Sequence, residues 1–496
     1  MPRIEREGLG MRRTKMVCTV GPSSTSPNVL RDLIAAGMDV ARLNFSHGAH
    51  DTHRAAHQTI RSLAAEMGRN VAVMADLQGP KIRTGRLKGG GSVTLTQGAT
   101  LCVTTRDIEG DADCVSTTYP NLPQDVKSGD RLLVADGAME LTVIRVDGHD
   151  VHCRIVRGGP LGEHKGINLP GVEVSAPSLT DKDVADLEFA LGLGVDYVAL
   201  SFVRRPDDLR RLREKILAFN NAARDKMFRP GIVAKIERPQ ALEHIDEILS
   251  LSDAIMVARG DLGIETCLDD IPQIQKDLIR RSNAYGLPVI TATQMLESMM
   301  ASPQPTRAEV SDVANAIYDG TDAVMLSGET AAGRFPVEAA RTMADVAEKA
   351  DDAIAAGSSD RSKYPIDSSV WRGSHSNAVA EAVSRMANTL AVTRIVCFTM
   401  SGHTARALAR CRPHAPITAV TLSDDTLRKC ALIWGVDALH SVEVVNVDEM
   451  IGAVNRIVLD HNLAKSGDSI IIVGGTPLAV GGVTNFLKLH TVAQPS

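Results

Sequence analysis

Two acidic and four basic residues form the pattern in this sequence with the clearest chemistry. They stand at or shortly after the ends of short apolar runs, and they are Glu237, Asp261, Arg42, Arg83, Lys235 and Arg259. Carboxylate ligands without cysteine or histidine favour Mg²⁺ or Mn²⁺ over Zn²⁺, and two of them leave coordination positions for substrate oxygens. The four cations would offset the repulsion between two polyanions, about 1 kcal/mol for each charge pair 4 Å apart in water. The pattern therefore predicts phosphoryl transfer, which depends on charge neutralisation and alignment.

Eight short apolar, β-branched runs alternate with helical segments and would carry these residues. The runs are Met16–Val20, Val40–Phe45, Val71–Ala75, Tyr197–Phe202, Ile232–Ile236, Ala254–Val257, Pro288–Thr291 and Ala323–Leu326. Near-continuous apolar strands separated by helices predict a parallel sheet that is covered on both faces. Eight of them predict an α/β fold built on a (β/α)₈ barrel.

Polar side chains follow six of these eight predicted strands. In such barrels the C-terminal strand ends meet at one face, which is where reactive groups collect. Each residue alone could be a solvated surface charge or a helix cap. The convergence of six strand ends favours a functional site over six unrelated caps.

The remaining segments predict two further domains. Between residues 84 and 176 the strands are short and alternating, with frequent Gly, Asp and Thr, which indicates a small β domain inserted after the third barrel strand. The barrel domain would therefore comprise residues 1–83 and 177–356. A polar linker follows Gly357, and residues 357–496 resume β/α alternation, which predicts a C-terminal α/β domain.

Composition excludes several classes of protein. The chain has 496 residues, a net charge of -6 and no overall basic excess, which argues against nucleic acid or an anionic membrane as a partner. The sequence contains no apolar run of about 18 residues that would span a membrane. Its eight scattered cysteines lack metal-ligand spacing and favour reduced thiols in a cytoplasmic protein.

Several segments closely resemble the pyruvate kinase family. They include Lys15–Ser23, Ala41–Gly48, Lys165–Gly171, Ala234–Pro239, Met256–Glu265, Thr291–Met299 and Met325–Thr330. The resemblance implies a barrel domain, a mobile β lid and an α/β regulatory domain, assembled as a homotetramer. It also implies an allosteric enzyme of glycolysis that transfers the phosphoryl group of phosphoenolpyruvate to ADP and yields pyruvate and ATP.

The resemblance further implies roles for individual residues in phosphoryl transfer. Arg42 would grip the phosphates, and Lys235 would contact the transferred phosphoryl group and steady the enolate. Glu237 and Asp261 would hold one Mg²⁺, with Mn²⁺ as an alternative ion, and a second Mg²⁺ would arrive with ADP. The substrate carboxylate would bind the turn at Ala258, Arg259, Gly260 and Asp261, together with the hydroxyl of Thr293.

The nucleotide and the final proton transfer would involve other residues. The resemblance assigns the nucleotide to Arg42, Asn44, His47, Arg83 and the lid residue Lys165. No histidine or cysteine is placed to protonate the enolate. A water relay ordered by Thr293, Ser327 and Glu329 would serve instead.

One segment departs from the pattern of many family members, which read Asp-Thr-Lys-Gly-Pro-Glu-Ile-Arg and bind K⁺ there. The positions that match their K⁺ ligands are Asn44, Ser46, Asp76 and Leu77. Here Leu77 replaces an oxygen ligand, Gln78 removes one positive charge and Lys81 adds two, so the net change equals the charge of K⁺. We expect the ammonium of Lys81 to replace the ion, so that K⁺ is not required. The alternative is a pocket that still binds K⁺, because its other ligands remain.

A loop in the third domain has the composition of a phosphate-binding turn. It joins a predicted strand to a predicted helix and contains Thr399, Ser401, Gly402, His403 and Thr404. In the family this loop holds a sugar-phosphate effector, whereas a plain helix cap is the simpler interpretation. Because residues 474–482 supply no cation, a sugar monophosphate or AMP fits better than a bisphosphate.

Two other functions compete with this interpretation. A Mg²⁺-dependent lyase or mutase of pyruvate-like enolates would share the carboxylates and arginines, but it would not explain the lid or Lys165. A non-catalytic metabolite sensor would have lost catalytic residues, yet Arg42, Lys235, Glu237 and Asp261 are all present.

Overall fold

The structure is a computed structural model that describes residues 12–222, 229–357, 374–441, 443–476 and 484–493. The first barrel strands are β1 (Lys15–Val20), β2 (Val40–Asn44) and β3 (Ala72–Asp76). The inserted strands are β4 (Ser92–Leu95), β5 (Thr100–Thr104), β6 (Cys114–Ser116), β7 (Arg131–Val134), β8 (Met139–Asp147), β9 (Asp150–Arg157), β10 (Gly159–Gly162) and β11 (Ile167–Asn168). The barrel continues with β12 (Tyr197–Leu200), β13 (Gly231–Ile236), β14 (Ala254–Ala258), β15 (Val289–Ala292) and β16 (Ala323–Leu326). The last sheet contains β17 (Arg394–Phe398), β18 (Ile417–Thr421), β19 (Val436–His440), β20 (Ser469–Gly474) and β21 (Phe486–Thr491).

The helices surround the barrel and cover the last sheet. Those of the barrel and lid are α1 (Pro27–Ala36), α2 (His50–Glu66), α3 (Leu122–Asp125), α4 (Asp181–Leu193), α5 (Pro206–Ala222), α6 (Pro239–Glu243), α7 (Ile245–Leu251), α8 (Arg259–Glu265), α9 (Ile271–Tyr285), α10 (Arg307–Tyr318), α11 (Gly328–Ala331) and α12 (Pro336–Ala355). The third domain contributes α13 (His375–Leu390), α14 (His403–Arg410), α15 (Asp424–Lys429) and α16 (Val447–Asp460). Among the described helices, none is long and apolar enough to cross a membrane.

Eight parallel strands close into the predicted barrel. Their order around it is β1-β16-β15-β14-β13-β12-β3-β2, and β12 pairs directly with β3 through Tyr197 and Met74. The strands are apolar on both faces because one face packs in the barrel interior and the other packs against helices. Local signals fix the helix ends, as in α10, where Thr306 and Glu309 form a capping box. The (β/α)₈ prediction is confirmed.

The inserted segment forms a lid with a core of its own. Six strands form a sheet in the order β11-β7-β8-β9-β5-β6, and β10 pairs with β4. Most pairs are antiparallel, but β5 and β6 run parallel, because the chain crosses over between them. These strands lie within the predicted insertion of residues 84–176, and their apolar side chains pack in a cluster separate from that of the barrel.

The third domain has a five-stranded sheet in the order β19-β18-β17-β20-β21. Four strands are parallel, and the edge strand β21 runs antiparallel to β20. The predicted linker after Gly357 and most of the loop at residues 474–482 lie outside the described residues. All eight cysteines fall within the described residues and are free thiols.

Candidate active site at the barrel mouth

Lys235 lies at the centre of a buried charge cluster at the C-terminal ends of the barrel strands. Its Nζ lies 2.9 Å from Oε1 of Glu237 and 3.2 Å from Oδ1 of Asp76, and it donates a hydrogen bond of 2.6 Å to Oγ of Ser201. Burial acts to lower the pKa of Lys235, but Asp76 and Glu237 outweigh it and hold the pKa above its ordinary value. The side chain is therefore a charged ammonium at neutral pH.

Arg42 is held beside Lys235 by the same carboxylate. Its Nε donates to Oδ2 of Asp76 at 2.6 Å, and its NH1 donates to Oγ1 of Thr19 at 2.9 Å. Burial acts to raise the pKa of Asp76, yet Lys235 and Arg42 hold that pKa below its ordinary value. One buried carboxylate thus orients two cations toward the mouth of the barrel.

Glu237 and Asp261 form the predicted carboxylate pair. Burial raises the pKa of Glu237, and the nearby charge of Asp261 raises it further, against the opposing effect of Lys235. A divalent cation would relieve this repulsion, so the donor set fits Mg²⁺. In the described part of the chain, no group of three or more His, Cys, Asp or Glu side chains could hold a metal alone. Substrate oxygens would have to complete the coordination.

The first turn of α8 lies beside Thr293. The N–H of Gly260 donates to Oγ1 of Thr293 at 2.8 Å, and that hydroxyl donates to the carbonyl of Ala292 at 2.6 Å. Ala258 is buried and caps the helix, while Asp261 is half-buried in its first turn. The predicted carboxylate-binding turn and the Thr293 hydroxyl are therefore neighbours.

Arg259 faces away from the cation cluster. Its guanidinium lies 2.7 Å from Oδ2 of Asp312, and it donates to the carbonyls of Thr293 and Gln294 at 2.8 and 3.2 Å. Both of those residues have positive φ angles, 69° and 53°, which are strained for residues with a Cβ. These contacts support the loop that carries Thr293 and give Arg259 no part in the cation cluster itself.

Ser327 and Glu329 lie together after β16. The carboxylate of Glu329 accepts hydrogen bonds from the N–H groups of Ser327 and Leu296, at 2.7 and 3.0 Å. Glu329 is buried, and its two oxygens link the ends of β15 and β16. The Ser327 hydroxyl is buried and has no hydrogen-bond partner among the described residues.

A second group of cations surrounds His47. Burial lowers the pKa of His47, and the charges of Lys81, Arg83 and Arg42 lower it further. Lys165 lies beside this group, since the backbone of Lys165 exchanges hydrogen bonds with Thr84. Arg83 in turn donates to the carbonyl of His164 at 3.3 Å. The lid residue Lys165 and the barrel residues Arg83 and His47 thus occupy one region.

The residues of the expected monovalent-ion pocket make different contacts within the protein. Oδ1 of Asn44 accepts the N–H of Ser46 at 3.1 Å, and Asp76 binds the two cations described above. The Leu77 side chain packs in the apolar layer outside the barrel, while its carbonyl accepts a 2.6 Å hydrogen bond from Ser201. A backbone oxygen at position 77 is therefore kept whichever side chain occurs there. Lys81 is exposed after the turn that follows β3.

The expected effector loop of the third domain is a capped turn. Gly402 has φ 80° and donates its N–H to Oγ1 of Thr399 at 2.9 Å. Oγ1 of Thr404 hydrogen-bonds Oγ1 of Thr484 at 2.9 Å, and Ser401 is exposed. The His403 side chain lines a cavity of about 210 Å³ between the barrel and the third domain.

Two groups of residues that lie at this site are not predicted from the sequence. Ser201, at the end of the fourth barrel strand, contacts both Lys235 and Asp76, and Thr19 supports Arg42. Arg238 and Glu265 form a buried ion pair beside the carboxylates. A hydroxyl after a barrel strand is the signal that would have found Ser201, because strand four ends in Ser201-Phe202.

Comparison with known proteins is consistent across sequence and structure. The family model described as "Pyruvate kinase, barrel domain" matches residues 11–340, and "Pyruvate kinase, alpha/beta domain" matches residues 377–490. The chain is 45% identical to the pyruvate kinase of Staphylococcus saprophyticus over 488 residues, which covers 98% of the chain and 81% of that protein. The corresponding protein of Staphylococcus aureus (strain MRSA252) is 44% identical with the same coverage. The crystal structure of a pyruvate kinase from Cryptosporidium parvum superposes with a TM-score of 0.89 at 37% identity, covering 97% of this chain and 96% of that one.

Proposed function

Because the chain belongs to the pyruvate kinase family and so transfers the phosphoryl group of phosphoenolpyruvate to ADP, we propose roles for its residues in that reaction. The observation that carries the proposal is the placement of Lys235. Its ammonium sits between Asp76 and Glu237 at the barrel mouth, with Arg42 bound to the same Asp76. Two preorganised cations in a buried site act strongly on charge that develops in the transition state.

Lys235 and Arg42 carry the phosphoryl-transfer step in this proposal. Lys235 contacts the transferred group and stabilises the negative charge that develops on the enolate oxygen. Arg42 binds the phosphate oxygens and holds the donor and acceptor in line. Ser201 and Asp76 keep both cations in place through their hydrogen bonds. The N-terminal turn of α8 and the Thr293 hydroxyl receive the substrate carboxylate.

Members of this family use Mg²⁺, and Glu237 and Asp261 are the side chains that would hold it here. When bound, the ion would supply positive charge that offsets the substrate carboxylate, the phosphoryl group and the enolate. Mn²⁺ has the same oxygen preference and is the alternative ion. A second Mg²⁺ would enter with ADP.

Nucleotide binding is assigned to the region where the lid meets the barrel. Arg83 and Lys165 contact the phosphates of ADP, and His47 and Asn44 line the same region. Burial lowers the pKa of His47, and the charges of Lys81, Arg83 and Arg42 lower it further, which supports a cationic region at this place. The lid, residues 84–176 in this proposal, closes over the nucleotide, whereas residues 1–83 and 177–356 hold the other substrate.

Protonation of the enolate follows phosphoryl transfer. The Ser327 hydroxyl, which lacks a partner among the described residues, is best placed to order a water. Thr293 forms the other side of this relay. Glu329 holds the backbone of Ser327 and Leu296 and so positions the relay.

The activity is tested by pyruvate formation coupled to lactate dehydrogenase, with and without ADP. Lys235→Met should lower kcat by a factor of about 10³ while the fold remains intact, since one preorganised charge is removed. Lys182→Met removes an exposed lysine of the same barrel face and serves as the control. Near-normal turnover of Lys235→Met would remove Lys235 from the mechanism. Pyruvate formation from phosphoenolpyruvate without ADP would instead show that the phosphoryl group is transferred to water.

We further propose that Lys81 makes K⁺ unnecessary. Support comes from the charge balance of the segment and from the charge of Lys81, which helps to lower the pKa of the buried His47. Because the Leu77 side chain packs outside the barrel, the charge of Lys81, and not the lost hydroxyl, would make the ion unnecessary.

We also propose an effector site, an oligomeric state and a cellular location. The loop from Thr399 to Thr404 would bind a monophosphate such as a sugar phosphate or AMP, with the exposed Ser401 as a donor. A homotetramer and a cytoplasmic location are the expectations for this family. Titration with AMP and glucose phosphates, followed by thermal stability, tests the effector, and sedimentation velocity tests the assembly.

A further inference from the structure

A buried ion pair joins the two elements that carry the proposed metal ligands. Arg238 directly follows Glu237 at the end of β13, and Glu265 is the last residue of α8. NH1 of Arg238 lies 2.6 Å from Oε1 of Glu265, and the two side chains are only 8% and 2% exposed. Because Asp261 and Glu265 are four residues apart in one helix, they share a face. The pair therefore links the backbone beside Glu237 to the helix that carries Asp261.

The guanidinium of Arg238 is fixed by a second contact. It lies over the ring of Phe202, 5.2 Å from the ring centroid. The N–H of Phe202 donates to Oε2 of Glu237 at 2.7 Å. Arg238 is thus packed against the same residue that orients one of the proposed metal carboxylates.

The lid contacts the same carboxylate. Nδ2 of Asn168 donates to Oε1 of Glu265 at 3.1 Å. Asn168 belongs to β11, where it pairs with Leu133 of β7, and it is 8% exposed. One oxygen of Glu265 therefore forms an ion pair with the barrel residue Arg238 and accepts a hydrogen bond from the lid residue Asn168. Movement of the lid away from the barrel would remove this donor and expose the oxygen to water.

We propose that Arg238 and Glu265 are positioning residues that hold Glu237 and Asp261 at the separation needed for a divalent cation, and that Asn168 couples this separation to closure of the lid. The inference rests on the proposed metal site of this enzyme. A buried ion pair that loses one partner leaves an uncompensated charge, so each of its members constrains the other strongly. Lid closure and metal affinity are then linked, and each strengthens the other.

Direct binding of Mn²⁺ to the full chain, measured from the electron paramagnetic resonance signal of free Mn²⁺, tests the positioning role without turnover. Arg238→Met should raise the Kd by about 10- to 100-fold, as expected when a residue that supports the ligands of a metal is removed. Arg210→Met is the matched control. Arg210 pairs with Asp207 within α5 and is 52% exposed, so its loss should leave the Kd unchanged.

Asn168→Ala tests the coupling to the lid. Loss of one hydrogen bond to a charged group should raise the Kd for Mn²⁺ about fivefold. Amide hydrogen exchange in residues 165–172 should become faster, because the lid spends more time away from the barrel. The same substitution should raise KM for ADP more than it lowers kcat.

The outcomes separate the inference from the proposed function. Wild-type Mn²⁺ affinity in Arg238→Met would overturn the positioning role, and unchanged exchange and affinity in Asn168→Ala would overturn the coupling. If circular dichroism shows that Arg238→Met does not fold, Arg238→Lys keeps the charge, and its Kd must lie clearly above that of wild type. Failure of Glu237→Gln to weaken Mn²⁺ binding would instead refute the metal site itself.

Discussion

Oδ2 of Asp76 accepts a 2.6 Å hydrogen bond from Nε of Arg42 within the charge cluster at the barrel mouth. The other oxygen of Asp76 faces Lys235 at 3.2 Å. This carboxylate is buried, and it is more than a ligand of an expected monovalent-ion pocket. It sets the direction and the charge state of the two cations assigned to phosphoryl transfer.

Asp76→Asn should therefore lower kcat/KM for phosphoenolpyruvate by about 100-fold, because Lys235 and Arg42 lose the charge that orients them. Asp76 raises the pKa of Lys235, so its removal should move the basic limb of the pH–rate profile to lower pH. The pH dependence of kcat/KM, measured from pH 6 to 10, checks both effects. A basic limb that does not move would show that Lys235 keeps its proton without Asp76.

Lys81→Glu should convert the enzyme to K⁺ dependence. With tetramethylammonium as the only monovalent cation, activity should fall about tenfold, the equivalent of about 1.4 kcal/mol of lost attraction for the anionic substrates. Addition of K⁺ should restore most of it. Lys127→Glu, a change of the same charge at an exposed lid position, is the control. Strong activation of the unaltered enzyme by K⁺ would contradict the role of Lys81.

Asp312→Asn should weaken substrate binding although Asp312 does not contact the substrate. Asp312 pairs with Arg259, which supports the carbonyls of Thr293 and Gln294. A looser loop should raise KM for phosphoenolpyruvate about fivefold, roughly the net effect of one ordinary hydrogen bond. Steady-state kinetics and the affinity for oxalate should change together. An unchanged KM would show that the backbone strain at Thr293 is supported by other contacts.

His57 should make the protein less stable in mild acid. Burial, together with the nearby charge of Arg61, lowers the pKa of His57 to about 4. The unfolded chain binds a proton near pH 6.5 while the folded chain does not, so stability falls as pH decreases from about 6.5 to about 4. The loss amounts to roughly 2 kcal/mol. It should be absent in His57→Leu and retained in the control His461→Leu, as measured by urea unfolding between pH 7 and 4.5.

The barrel could be predicted from sequence because its signals are local and repeated. The bounds of β16 match the predicted run Ala323–Leu326, because a short apolar segment marks both of its ends. Helix α2 begins with the polar residues His50 to Arg54, which hide its apolar face. In the lid, β5 and β6 pair in parallel, a relationship between distant residues that alternation alone does not reveal.

The sequence predicted most residues of the candidate site, but it predicted less well where their side chains point. Lys235, Glu237 and Arg42 converge as expected, because parallel strands end at one face. Arg259 also follows a barrel strand, but its side chain turns toward Asp312. Ser201 was missed because the predicted run Tyr197–Phe202 included it, whereas the strand ends at Leu200 and Ser201 follows it. The order of the strands fixes the position of a residue's backbone, whereas the side-chain rotamer and the surrounding packing decide which groups the side chain contacts.

The lid leaves the barrel after β3 and returns before α4. The N–H of Gly79, shortly after β3, donates to Oδ1 of Asp183 in α4 at 3.0 Å, so the two connections of the lid lie close together at the barrel mouth. Removal of the lid would leave the barrel closed. The separate apolar cluster of the lid would allow it to fold as a unit. An ancestral barrel could have acquired this module in one insertion, and lids could be exchanged between relatives with the barrel left intact.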